Sequence, residues 1–241
     1  MDFRQFQLLG GEIRSKLQQA DFDELTLPEL AAEALAKADL DTDFQLDDVA
    51  EFLLTTNIAQ QPALRFSNLP PVVYRCDDFY IELLIWMDAT TVIHQHAFSG
   101  AFRVFAGSSV HSIYQFHERE RISSRLLVGD VRLDRVELLR RGDVRQIKSG
   151  RQGLVHALFH LDQPSVTLVV RNSEPWARPQ YVLTRPSVAF ADQDLEQDSR
   201  VQVMKRSSAH AAIGFAGDCP SRQLYLARSR LTQTRHRGTL A

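Results

Sequence analysis

Two histidines, His94 and His96, lie one residue apart in the alternating run IHQHAFSGAFRVFAG, which extends from Ile93 to Gly107. Side chains at positions i and i+2 of a β-strand point to the same face, about 6.6 Å apart. Two imidazoles placed in this way can converge on one metal ion, at about 2.1 Å from each nitrogen. An HxH pair is equally compatible with core or surface histidines, so a metal site requires a third ligand.

His156 is the candidate for that third ligand. It lies in the apolar run GLVHALF, about sixty residues downstream, where an antiparallel arrangement can place it beside the first pair. His160 has the same strand parity as His156, whereas alternation does not fix the face of His111. Both histidines, and Tyr114 on the same run as His111, are candidates for orienting a ligand or for acid–base catalysis, with a place in the core as the alternative.

The elements that must position these residues differ along the chain. Residues 1–57 predict helices, because PELAAEALAKADL has apolar residues at helical spacing and DTDFQLDDVAEFLLTT has acidic residues near a helix start. Residues 58–183 contain many short β-like runs without helix-length inserts, which predicts an antiparallel sandwich or barrel. Residues 184–241 are predicted to form an extension, partly helical at SRQLYLARSRLTQT. Turn signals between the β-like runs occur at Gly107-Ser108-Ser109, Gly129-Asp130, Gly142-Asp143 and Ser149-Gly150.

The composition is that of an ordinary globular domain, with 44% hydrophobic and 24% charged residues. A formal net charge of −2 argues against nucleic-acid binding. No run approaches the roughly 20 apolar residues of a membrane span, and the first residues do not resemble a signal peptide, so we expect a cytoplasmic protein that does not bind membranes. Cys76 and Cys219 form no CxxC pair and are expected to be free thiols.

The histidine-bearing segments resemble the two motifs of the cupin superfamily over roughly residues 62–183, half of the chain. His94, His96 and Gly107 match the first motif, whereas the second is matched by Gly142-Asp143, Gly150 and His156. The resemblance implies a mainly β fold, an antiparallel double-stranded β-helix or jelly-roll barrel, here with N-terminal helices and a partly helical C-terminal extension. It also implies that the three histidines bind a metal ion.

The chain departs from the usual motif at the position of the glutamate ligand, where it has Gly100 or Ala101. A site of three histidines without a carboxylate is similar to that of the cysteine dioxygenase-like thiol dioxygenases. This second resemblance implies Fe(II), with Ni, Zn, Cu and Mn as alternatives, because imidazole ligands do not select one of these metals. It also implies O₂ as a co-substrate.

The same family binds its substrate carboxylate through an arginine, for which Arg75 in VVYR is the matching residue. Its Ser-His-Tyr relay is absent, because the matching positions are Thr167, Val169 and Arg171. Arg171 can itself pair with a carboxylate through its planar guanidinium. Each arginine is equally compatible with an ordinary surface charge.

The sequence favours a mononuclear non-haem Fe(II) dioxygenase or other oxygenase that acts on a small carboxylate-bearing molecule. Two alternatives share the fold. One is a non-redox isomerase or lyase in which the metal is a Lewis acid, and the other is a regulatory cupin that only binds a ligand. A homodimer is compatible with the resemblance to cupins.

Overall fold

The structure is a computed structural model that describes residues 2–21, 23, 25–40, 43, 45–55, 71–87, 91–150, 153–173, 180–184 and 188–191. The helices in these ranges are α1 (Arg4–Gln19), α2 (Leu27–Lys37) and α3 (Leu46–Thr55). The strands are β1 (Val72–Arg75), β2 (Phe79–Trp86), β3 (His94–Gln95), β4 (Gly100–Ala106), β5 (Ser109–Ser123), β6 (Leu126–Leu139), β7 (Val144–Ile147), β8 (Val155–His160), β9 (Ser165–Asn172), β10 (Tyr181–Thr184) and β11 (Val188–Ala191).

The strands form two antiparallel sheets. The first has the order β1-β2-β9-β4-β7, and the second closes on itself in the order β10-β11-β6-β5-β8-β3. Strands β2 to β9 thereby divide into the sets β2-β9-β4-β7 and β3-β8-β5-β6, which is the arrangement of an eight-stranded jelly roll. The predicted mainly β jelly-roll fold with N-terminal helices is confirmed. The helix predicted in the C-terminal extension lies outside the described residues.

The main core lies between the two sheets, because the strands turn their apolar residues inward. Its buried members come from both sheets and include Phe102, Ile147, Leu158 and Val169. Strands β2 and β9 are buried along almost their whole length. This burial on both faces arises because helices α1 and α2 pack against the first sheet, on strands β1, β2, β4 and β7.

Helix α1 packs through apolar residues at helical spacing, namely Phe6, Leu9, Ile13 and Leu17. Helix α2 is anchored at its C-terminal end by Arg103 of β4, which donates hydrogen bonds of 2.7 Å to the carbonyls of Leu35 and Ala38. A cation at this end also interacts favourably with the helix dipole.

Three of the predicted turns contain a glycine with positive φ: Gly107 (80°), Gly142 (93°) and Gly150 (89°). The turn predicted at Gly129-Asp130 is wrong, because both residues lie inside β6. A Cβ at Gly129 would lie 2.2 Å from the carbonyl oxygen of His117. This glycine therefore permits close approach of two strands instead of forming a turn.

The chain divides into two compact units. Residues Met1–Asp43 and Leu64–Asp194 form the unit that contains both sheets, α1 and α2. Helix α3 belongs to the other unit and has two acidic residues, Asp47 and Asp48, in its first turn. No helix among the described residues is long and apolar enough to span a membrane. Cys76 is a free, half-buried thiol, and Cys219 lies outside the described residues.

Candidate metal centre

His94, His96 and His156 converge, with one potential ligand atom from each lying within 4.8 Å of the others. Pairing of β3 with β8 places His94 directly opposite His156, and His96 follows immediately after β3. The Nε2 atoms of His96 and His156 are 2.8 Å apart. Nitrogens at adjacent positions of one ion, each about 2.1 Å from it, would be separated by about 3.0 Å. The observed separation therefore fits two ligands of a single ion.

The protonation of His94 follows from its contact with the backbone. Its Nδ1 lies 2.8 Å from the carbonyl oxygen of Val92. Because a carbonyl can only accept a hydrogen bond, Nδ1 carries the proton and donates it. The Nε2 lone pair of the neutral ring is then available to a metal ion.

Burial lowers the pKa of all three histidines, and the pKa values of His96 and His156 fall well below the ordinary 6.5. Desolvation is the largest cause in each case, because a charged imidazolium is disfavoured away from water. The rings are thus neutral at neutral pH, which is the form that binds metals. Three converging neutral imidazoles fit a divalent transition-metal ion.

A series of polar contacts extends from His156 on β8 through β5 and β6 to β7. The Nδ1 atom of His156 lies 2.8 Å from Nε2 of His111, and the Nδ1 of His111 lies 2.9 Å from Oε1 of Glu137. Arg145 donates from Nε to Oε1 of Glu137 at 2.8 Å and from Nη2 to Oε2 at 2.7 Å. His111 is completely buried.

A cavity of about 50 Å³ lies between the sheets and is lined by all three histidines. Its walls are mainly apolar and come from β2, β4, β7, β8 and β9. The polar side chains that line it, besides the histidines and Trp86, are Glu82, Thr91, Thr167 and Arg171. The volume exceeds that of one water molecule, so the cavity is suited to a small ligand.

Glu82 and Arg171 form a buried ion pair in the wall of this cavity. Nη1 of Arg171 donates to Oε1 of Glu82 at 3.1 Å, and the guanidinium carbon lies 4.0 Å from the centre of the Phe98 ring. Oε2 of Glu82 and Nε of Arg171 are buried without a hydrogen-bond partner among the described residues. Burial raises the pKa of Glu82, and the nearby Arg171 opposes this shift. The pair therefore retains one acceptor and one donor for a ligand.

The other residues predicted from the sequence are placed differently. Arg75 is exposed on β1 and is not among the residues that line the cavity. His160 is buried, contacts the hydroxyl of Ser109 at 2.9 Å and stacks on Trp86, with ring centres 4.8 Å apart. Burial lowers its pKa to about 4. Arg171 thus lines the same cavity as the three histidines and His111 contacts His156, whereas Arg75 is not among the lining residues and His160 stacks on Trp86, which lines the cavity.

Tyr114 is half-buried on β5 and packs against a separate apolar cluster that contains Leu127, Val155 and Tyr181. It lines a second, open cleft together with His96. The positions matched to the relay, Thr167, Val169 and Arg171, all line the histidine cavity.

Sequence reasoning missed three charged residues near the site: Glu82, Glu137 and Arg145. The signal for Glu82 was its single charge in the apolar run FYIELLIWM, since a carboxylate in a strand buried on both faces requires a partner. Glu137 lies in β6, which is rich in charged residues, and Arg145 lies in the short strand β7; nothing in the sequence separates either residue from solvent-facing charges.

Comparison with known proteins identified no matching family model and no matching curated protein. Among solved structures, similarity was found to a hydroquinone 1,2-dioxygenase from a Sphingomonas species, with 14% identity, coverage of 51% of this chain and 75% of that chain, and a TM-score of 0.36. A cupin-2 domain protein from Shewanella frigidimarina is 16% identical, with coverage of 53% of this chain and 93% of that chain and a TM-score of 0.30.

An oxalate decarboxylase variant from Bacillus subtilis gave 16% identity and a TM-score of 0.29, over 42% of this chain and only 22% of that chain. The chain also spans less than half, 44%, of a similar DMSP lyase chain. Similarity at this level does not establish an activity for the chain.

Proposed function

We propose that the protein is a metal-dependent enzyme, a mononuclear non-haem Fe(II) oxygenase that acts on a small carboxylate-bearing substrate. The observation that carries this proposal is the presence of three neutral imidazoles and one buried guanidinium in the same small cavity. His94, His96 and His156 would hold the ion. When bound, Fe(II) supplies the redox chemistry that activates O₂ for transfer to an organic molecule.

Arg171 would bind and orient the substrate. A guanidinium presents parallel N–H donors that match a carboxylate, and the unpartnered Nε supplies one of them. Phe98 stacks against the guanidinium and restricts its orientation. The apolar walls exclude water, which strengthens the ion pair between Arg171 and a carboxylate. The three histidines contribute no negative charge, which also favours an anionic substrate.

A second candidate function is supported by Glu82. Burial raises the pKa of Glu82 and so makes its carboxylate a stronger base, and its Oε2 atom has no hydrogen-bond partner among the described residues. Glu82 could then accept a proton from a substrate held by Arg171, as in a metal-dependent isomerase or lyase. This reaction would consume no O₂.

Anaerobic loading with Fe(II), followed by O₂ uptake with a panel of small thiols, amino acids and hydroxy acids, tests the proposal. We expect uptake with at least one carboxylate-bearing compound. The Arg171→Lys variant should raise the KM for that compound at least tenfold, because lysine lacks the planar fork. Arg75→Lys is the matched control and should leave the KM unchanged. Turnover without O₂ that is lost in Glu82→Gln would contradict the oxygenase and support the second candidate.

A further inference from the structure

We propose that Glu137, His111 and Arg145 are positioning residues that hold His156 with its proton on Nδ1 and its Nε2 lone pair towards the cavity. The inference deepens the proposed function, in which Nε2 of His156 is a ligand atom. Every contact on which it depends joins two side chains of the protein.

The first contact in this hydrogen-bonded series is the ion pair between Glu137 and Arg145. Arg145 occupies both carboxylate oxygens through a bidentate contact, which fixes the plane of the carboxylate. The same contact is the main reason why the pKa of Glu137 is lowered to about 2. Glu137 is therefore a permanent anion, and it can only accept a hydrogen bond from His111.

The hydrogen-bond acceptor Oε1 of Glu137 determines which nitrogen of His111 carries the proton. Nδ1 of His111 lies 2.9 Å from Oε1 and must carry a proton, because two lone pairs would otherwise face each other. His111 is completely buried, where a neutral imidazole with a single proton is favoured over a charged ring. Its Nε2 therefore has a lone pair and accepts.

His156 is fixed in turn by His111. The 2.8 Å contact between Nε2 of His111 and Nδ1 of His156 requires that the proton lie on Nδ1 of His156. Its Nε2 then has a lone pair, which accepts a hydrogen bond from Nε2 of His96 at 2.8 Å. The negative charge of Glu137 on β6 thus fixes, through hydrogen bonds across two imidazole rings, which nitrogen of His156 has the lone pair inside the cavity.

The three candidate metal ligands differ in the hydrogen bonds that fix the orientation of their rings. His94 is fixed by the carbonyl of Val92, and His156 by the chain from Glu137. Nδ1 of His96 is buried without a hydrogen-bond partner among the described residues. Partners that fix the orientation of a ligating histidine typically contribute 10- to 100-fold to metal affinity, so loss of the Glu137 chain should produce an effect of that size.

The test uses nitrogen-15 NMR of the metal-free, full-length protein, in which long-range couplings identify the protonated nitrogen of each histidine. In the wild type we expect His156 to be protonated on Nδ1. In Glu137→Ala the preference should be lost. Glu137→Gln keeps an oxygen acceptor, so it should retain part of the preference and guards against misfolding of the alanine variant. Glu118→Ala is the control, because Glu118 forms a similar bidentate pair with Arg121 and is not part of the contacts that connect Glu137, His111 and His156.

Titration with Co²⁺ gives a second readout. We expect Glu137→Ala to weaken Co²⁺ binding 10- to 100-fold and Glu118→Ala to leave it unchanged. An Nδ1-protonated His156 and wild-type Co²⁺ affinity in folded Glu137→Ala would overturn the inference. Failure of the proposed function is distinguishable, because a wild-type protein that shows the predicted tautomers and binds Co²⁺ but oxidises no substrate would refute only the oxygenase.

Discussion

The buried pair of Glu82 and Arg171 determines which charges the cavity can accept. Glu82 is almost fully buried, and Arg171 is largely so. Neither group could remain ionised there alone, because desolvation of a single charge is costly. The pair therefore supports the structure as well as the binding of a ligand, and the two roles can be separated by mutation.

Removal of one partner should destabilise the protein more than removal of both. We expect Arg171→Met to lower the free energy of unfolding by about 3 kcal/mol, because Glu82 is left buried without its counter-ion. The double variant Glu82→Gln/Arg171→Met should recover most of this loss. Urea denaturation of the wild type, both single variants and the double variant measures the coupling. Additive effects of the two substitutions would show that the pair is not coupled.

The contact of helix α1 with strand β1 depends on a glycine at a particular position of the helix. A Cβ at Gly10 would lie 2.2 Å from the Tyr74 ring, whereas a Cβ at the neighbouring Gly11 would meet no atom within 4 Å. Two adjacent glycines in one helix thus have different functions. The first allows close packing on the sheet, and the second contributes only backbone freedom.

The two glycines should respond in opposite ways to alanine. Gly10→Ala is expected to lower the free energy of unfolding by about 1–3 kcal/mol, since the ring of Tyr74 must move. Gly11→Ala should raise it by up to about 1 kcal/mol, because alanine favours the helix. Thermal and urea denaturation of the two variants provide the comparison. Equal effects would contradict the described packing of α1.

The pairing of β4 with β9 leaves no space for a side chain at Gly100, one of the two positions that match the glutamate ligand of the first motif. A Cβ at Gly100 would lie 1.9 Å from the carbonyl oxygen of Val170, so this position cannot accept a side chain without separation of the strands. We therefore predict that Gly100→Glu lowers the melting temperature and does not increase affinity for Co²⁺. A stable Gly100→Glu variant with tighter Co²⁺ binding would show that the strands can adjust.

The sequence was sufficient to predict the helices and strands, because the spacing of apolar residues repeats along each of them. Alternation and turn signals were sufficient for the antiparallel fold, and the resemblance to cupins directed attention to His94, His96 and His156. Contacts between strands were not predictable, because they depend on how neighbouring strands are aligned. His111 lies between Glu137 and His156 as a result of the register of β5 with β6 and of β5 with β8. Glu82 was missed for the same reason, since its partner Arg171 is 89 residues away.

The buried histidines of the protein are neutral, and protonating them should destabilise the folded state at acidic pH. The pKa of His160 is about 4 in the folded state, against 6.5 for an unperturbed histidine. Between these values the unfolded chain binds more protons than the folded one, so stability decreases as the pH falls from about 6.5 towards 4. The other buried histidines have pKa shifts in the same direction.

We expect the urea midpoint of the metal-free protein to fall between pH 7 and pH 5. His160→Phe should reduce this dependence, because phenylalanine can keep the stack on Trp86 and does not titrate. Denaturation curves of both proteins at several pH values test the prediction. A midpoint that rises on acidification would contradict the neutral state of the buried histidines.

The three-histidine centre is tested most directly by the metal content of the purified protein after anaerobic loading with Fe(II) and removal of unbound ions. We expect one ion per chain in the wild type and in the exposed-histidine control His117→Ala, and none in His94→Ala or His156→Ala. Folding of each variant is verified by circular dichroism. A folded wild-type protein without stoichiometric metal, or retention of the ion by folded His94→Ala and His156→Ala, would contradict the three-histidine centre.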